Sequence, residues 1–315
     1  MANNKKKSIK ETKSFWETLP GILTAIAAII TAIGGCAGVV LANPRLLDSL
    51  LPASPTPPTA MPIIESPPTF QTFDTNDVRV SSKDGMKMVF VPSGNFQMGS
   101  NNGYPDEKPV HTVYLDSFWI DQTEITNKMY GQCVSISEAC LPPSPTEFTG
   151  NYFRNPKFAN YPVVYVSSAQ AIAYCSWVGR YLPSEAQWEK AARSTDDRTF
   201  PWGNDEPNSS LLNFNNIVGG PAEVGSYPLG ASPYGALDMA GNVAEWVSDF
   251  YNDSIYGYWP IINNPSGPEM GEYRVLRGGS WSDNSDTIRS TMRQKEIPNI
   301  TNTNIGFRCA SPVSP

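Results

Sequence analysis

Beyond Arg193 the chain carries few continuous periodic runs of apolar residues and is rich instead in Gly, Pro, Asn and aromatic side chains, the chemistry of turns. A half written this way folds compactly but irregularly. Regular elements alone cannot supply its core, so much of it must come from the aromatic residues, 8 Trp, 14 Tyr and 13 Phe in the whole chain. Charged residues make up only 17% of the sequence, against roughly 25% on average, which excludes a highly charged disordered chain. At 315 residues there is room for two domains or for one large irregular one.

The regular signals lie earlier. Met88 to Pro92 and Gly94 to Gly99 read as two short strands with a turn between them, and Thr112 to Ile120 (TVYLDSFWI) alternates like a single strand. Thr126 is placed to cap a short helix beginning near Asn127. Ser167 to Val178 has Ala171, Tyr174, Cys175 and Val178 at helical spacing, and Ser184 to Ala192 makes a further helix after Pro183. The fold class expected is therefore α+β with much irregular structure.

Charge and side-chain inventory remove several functions. Lys and Arg number 23 against 30 Asp and Glu, and five of the lysines precede residue 14, so the remainder is strongly acidic and offers no nucleic-acid-binding face. His111 is the only histidine, which excludes a metal site needing several imidazoles. It follows Lys108-Pro109-Val110 at the start of a strand, where a structural role is favoured. Gly219-Gly220 and Gly278-Gly279 read as turns, and neither forms a phosphate-binding fingerprint.

The N-terminal segment reads differently. No charge occurs from Leu19 to Pro44, and Ile22 to Leu41 would span ~30 Å as a helix, the hydrocarbon thickness of a bilayer. The expected organisation is a basic cytoplasmic segment (1–18), a transmembrane helix (19–42), a Pro-rich linker (43–76) and an extracytoplasmic domain (77–315), oriented by the lysines before the span. The alternative for the same stretch is a lipoprotein signal acylated at Cys36. Pro52 to Pro68 holds seven prolines in 17 residues and reads as a semi-rigid spacer.

Seven blocks carry a family resemblance: Met88 to Gly99, Asp106 to His111, Tyr181 to Glu189, Phe200 to Gly203, Asp238 to Trp246, Arg277 to Trp281 and Gly306 to Cys309. In this order, over about Gly85 to Ala310, they resemble the formylglycine-generating enzyme, or sulfatase-modifying factor, family. The resemblance implies a variant of the C-type lectin fold with a small antiparallel sheet and a few helices. It also implies a copper ion held by two thiolates, but the positions of those two cysteines are taken by Asp283 and Ile288, and no cysteine occurs between Cys175 and Cys309. A soft Cu(I) ion needs sulfur donors, so copper is not expected. A related branch uses iron on three histidines, which this chain lacks.

Other features carried by the resemblance are structural. Cys175 and Cys309 match two family positions that are disulfide-bonded to each other, and Cys133 and Cys140 could close a second, small bridge. Spacing alone leaves three pairings of four cysteines open. Structural calcium is the cofactor implied, through the side chains of Asp238 and Glu245 and the carbonyls of Gly241 and Val243. A second family site would use Asn213 and the carbonyl of Phe214, but its remaining ligands are not recognisable in Ile217 to Val224. Hard cations take six to eight such oxygens.

Two functional classes follow. The first is a non-oxidising family member that binds a protein, peptide or glycan at the outer membrane face through a cleft lined by Trp281, Asp283, Asn284, Arg289 and Arg293. A similar Asn-, Ser- and Arg-rich ending resembles the variable ligand-binding proteins diversified by retroelements. The second is an enzyme, either a sulfatase activator or a metal-assisted catalyst using Asp283, Asp286 and Glu296.

Overall fold

The computed structural model describes residues 73–144, 149–258 and 261–313. The expected spanning helix and most of the Pro-rich linker lie outside the described residues; among those described, no helix is long and apolar enough to cross a membrane. The first described residue, Phe73, packs edge-on against Trp119 at 5.1 Å, so the folded unit reaches slightly further back than Asp77.

The helices form where local chemistry predicts. Helix α1 (Asn127–Ile136) begins with the N–H of Met129 donating to Thr126 Oγ1 at 3.2 Å. Helices α2 (Ser168–Trp177) and α3 (Glu185–Arg193) each open with a capping box, Ser167 with Gln170 and Ser184 with Gln187, which satisfies otherwise orphaned N–H groups. Helix α3 is buried on nearly every side, and this is what makes it the frame for the C-terminal loops.

Three small sheets surround these helices. In the first, β1 (Val78–Val80), β2 (Lys87–Val91), β5 (Phe118–Asp121) and β11 (Ala310–Pro312) pair antiparallel in the order β1-β2-β5-β11. The second runs β3-β4-β7, from β3 (Gly94–Met98), β4 (His111–Leu115) and β7 (Ile261–Asn263), with β4 and β7 parallel. The third, order β10-β6-β8-β9, joins β6 (Ala244–Phe250), β8 (Arg274–Arg277), β9 (Gln294–Glu296) and β10 (Ile305–Phe307), with β10 parallel to β6. The single small antiparallel sheet is thus corrected to three sheets, two of them mixed.

One strand expectation is also corrected. Thr112 to Ile120 is two strands, because the chain turns a corner at Asp116 and moves from one sheet to another. Asn264 holds that corner, its Oδ1 accepting from the Asp116 N–H and its Nδ2 donating to Asp116 Oδ2, both at 2.9 Å. Alternation continues through the corner, so periodicity alone could not show it.

Both disulfides form. Cys133–Cys140 closes the end of α1, and Cys175–Cys309 ties α2 to the two-residue link between β10 and β11. Trp246, Tyr174, Tyr130 and Phe307, all essentially inaccessible, lie with Cys175 and Cys309 in one aromatic core. Tyr130 and Tyr174 stack at 5.5 Å and Phe307 meets each edge-on. Trp246 and Tyr256 are likewise core residues.

Candidate functional site

The site is the turn following the Arg277-Gly-Gly-Ser block. Gly278 has φ +87° and Gly279 φ +67°, both in the left-handed region. A Cβ on Gly278 would stand 3.0 Å from the Trp188 ring, and one on Gly279 would stand 2.8 Å from the Thr287 carbonyl oxygen. The two glycines let the chain pass between α3 and its own next turn. Arg277, wholly buried, anchors the entry through Glu189 (2.7 Å) and Glu185 (3.2 Å) on α3.

Asp283 closes this turn on itself. Its Oδ2 accepts from the Ser280 N–H at 2.8 Å and from the Ser280 hydroxyl. Its other oxygen is within 3.5 Å of the Gln294 amide nitrogen. Ile288 does the reverse, contributing a fully buried side chain to a cluster with Phe200, Leu212, Phe214 and Ala240. One position is therefore a polar tie and the other a hydrophobic plug. All four cysteines among the described residues are consumed by the two disulfides, so none of those residues offers a thiolate.

The five residues expected to line a cleft are not brought together. Trp281, Asp283 and Asn284 stay on one turn, and Asn284 is exposed. Arg289 instead grips the buried Glu107 with both terminal nitrogens, at 2.7 and 2.6 Å. Burial would raise the Glu107 carboxyl, but bonds from Arg289, Thr291 and the Tyr104 N–H outweigh it and hold it below its usual range. Arg293 turns away into a doubly bonded pair with Glu185, at 2.7 and 2.9 Å, and its guanidinium lies 4.4 Å from the Tyr256 ring centre. These two arginines hold loops together, which corrects their place in the cleft. Glu107 and Glu185 were visible only as members of sequence blocks; their arginine partners are remote in the chain.

What flanks the turn is a second loop. The Asn215 N–H donates to the Asp283 carbonyl and the Asn216 N–H to that of Trp281, both at 2.8 Å. The apolar tip that follows, Ile217 and Val218, is about half exposed, at 52% and 53%. On the other side the Trp281 indole N–H reaches toward the Thr303 carbonyl at 3.5 Å. An exposed apolar tip thus borders a polar turn whose acids, Asp283 and Asp286, form no salt bridge among the described residues, the Arg289 guanidinium bonding the Asp286 carbonyl and Glu107 instead.

The calcium donors are tested by what already holds them. Glu245 is committed: Arg308 binds its two oxygens at 2.7 Å each, and the Trp188 indole N–H adds a bond at 2.8 Å. The remaining Arg308 donors go to the carbonyls of Asp121, Gln122 and Leu237, so this internal cation spends all five N–H groups. Asp238 is different. It is buried beside Glu124, a residue the sequence reading missed, and desolvation with mutual repulsion pushes Glu124 well up; desolvation raises Asp238 also. Glu124 Oε2 and Asn213 Oδ1 are buried and accept no hydrogen bond. Oxygen atoms of this kind fit a hard cation on the Asp238 and Asn213 sides, whereas Glu245 belongs to Arg308. Among the described residues no group of three or more His, Cys, Asp or Glu side chains is gathered to hold a metal.

Three mixed or antiparallel sheets, a few short capped helices and long loop connections define an α+β fold of the C-type lectin kind. Residues 74–313 match the family described as the sulfatase-modifying factor enzyme 1-like domain, and the chain belongs to this formylglycine-generating enzyme family. The formylglycine-generating enzyme of Streptomyces coelicolor is 32% identical over 281 residues, covering 71% of this chain and 88% of that protein. The serine/threonine-protein kinase pkn1 of Chlamydia caviae is 37% identical over 247 residues, covering 72% of this chain; the chain spans only 38% of that relative's length. Among solved structures, PvdO from Pseudomonas aeruginosa aligns with a TM-score of 0.65 at 26% identity, over 77% of this chain and all of that one.

Proposed function

We propose that this protein is a binding member of the family rather than a copper oxidase, held at the outer face of a membrane by its N-terminal apolar segment. The observation that supports the reading is what Asp283 and Ile288, which the resemblance puts at the two thiolate positions, do instead: Asp283 is tied to Ser280, and Ile288 is sealed in a hydrophobic cluster. Its ligand, a protein, peptide or glycan, meets the polar turn Ser282 to Asp286 and the apolar tip Ile217-Val218. In such a surface the apolar tip supplies buried area while the polar groups around it give specificity. Calcium, where bound, is structural: Asp238 with the Gly241 and Val243 carbonyls, and Asn213 with the Phe214 carbonyl, would hold it, and it would neutralise buried acid. The kinase activity named for the pkn1 relatives is not carried over.

The competing reading keeps an enzyme, either a sulfatase activator or a metal-assisted catalyst built on Asp283, Asp286 and Glu296. The deciding experiment incubates the copper-supplemented full chain with a Cys-x-Pro-x-Arg peptide in air and reads the product by mass. The binding reading expects unchanged peptide; formylglycine formed over repeated turnovers would establish the oxidase.

A further inference from the structure

A second recess lies well along the chain from the turn just described, between α1 and the segment Phe153 to Ala159. It is an open recess of about 510 Å³, lined by Asn127, Lys128, Gly131, Val134, Phe153 and Arg154, among others. Its floor is apolar. Gly131 sits in the middle of α1 where a Cβ would meet only the Phe153 ring edge, at 3.9 Å, so the glycine leaves space that a side chain would occupy.

The charge here is opposite to that of the protein. The whole chain carries −7, yet no acidic residue lines the recess, and its two cations, Lys128 and Arg154, are exposed and without a carboxylate partner among the described residues. Lys157 stands on the adjoining helical turn, likewise exposed. At the recess wall Asn127 is 2% exposed and its Nδ2 donates to the Phe158 carbonyl, so it braces the wall from within.

We infer that this recess docks an acidic peptide segment of a partner protein: carboxylates meet Lys128 and Arg154, and an apolar side chain enters between Gly131, Val134 and Phe153. The apolar floor selects against the other anionic partners. Phosphate, sulfate and lipid headgroups bring no apolar side chain for the floor between Gly131, Val134 and Phe153.

The test uses the full chain in detergent and a fluorescein-labelled peptide of Glu and Asp around one Leu, followed by anisotropy. Binding should weaken about tenfold in Lys128→Glu/Arg154→Glu, as expected for two exposed ion pairs reversed, and weaken as salt rises. Gly131→Leu fills the floor without touching charge and should also abolish binding, while melting temperature shows that each variant is folded. A peptide with Ser in place of Leu should bind less tightly. Equal binding of a Lys-for-acid peptide, undiminished binding by both variants, or binding of phosphatidylserine vesicles but not of the peptide would each overturn the assignment.

Discussion

Removing Cys175–Cys309 should destabilise this protein far more than removing Cys133–Cys140, and the structure says by how much. The first bridge spans 134 residues and the second 7. Cross-linking limits the unfolded chain in proportion to the logarithm of the loop, which gives about 5 kcal/mol for the long loop and about 2 kcal/mol for the short one. The sulfur atoms themselves do not distort the comparison, because all four cysteines are buried, Cys140 least so at 4%. The assay is thermal melting of the full chain as Cys175→Ala/Cys309→Ala and as Cys133→Ala/Cys140→Ala. For a domain of this size each kcal/mol moves the midpoint by roughly 2–4 °C, so the long-loop variant should melt at least 10 °C lower and the short-loop variant roughly 4–8 °C lower. Equal shifts in the two variants would refute the reasoning, since only loop length separates them.

Arg308→Met should cost about 3–5 kcal/mol, because it strands the Glu245 carboxylate and three carbonyls in the core, and Arg308→Met/Glu245→Gln should recover part of the loss in denaturant titrations. Burial, with Glu185 nearby, raises the Asp249 carboxyl from 3.8 to about 7. Between those values the folded state holds a proton that the unfolded state lacks, so this group favours the fold in acid and disfavours it above pH 7. Asp249→Asn should therefore raise the melting temperature at pH 8 and flatten its change between pH 5 and 8; an unchanged slope would remove Asp249 as the cause. Millimolar calcium should raise the melting temperature of the wild type and not of Asp238→Asn, and equal response of both would count against the Asp238 side as its binding place.

What could be read in the sequence follows contact distance along the chain. Helices α1 to α3 announce themselves because Thr126, Ser167 and Ser184 act on N–H groups three residues away. Strand boundaries do not. The corner at Asp116 depends on Asn264, 148 residues later, and no local pattern signals it. The same holds at the candidate site. Asp283 and Ile288 could be placed by block order alone, but the commitment of Arg289 to Glu107 spans 182 residues and that of Arg293 to Glu185 spans 108. Local composition made those arginines look available, and only their remote partners show that they are structural. The apolar tip Ile217-Val218 lay in a segment noted for missing calcium ligands, and its position beside Trp281 comes from two backbone bonds invisible to side-chain patterns.

The most direct test is Cu(I) retention by the purified full chain, measured by competition with a chromophoric Cu(I) chelator under anaerobic conditions with both disulfides intact. With Asp283 and Ile288 in place of paired thiolates, as proposed, and the four described cysteines in disulfides, the chain should surrender all of its copper to the chelator. One equivalent retained per chain would contradict the account and return the protein to the oxidases.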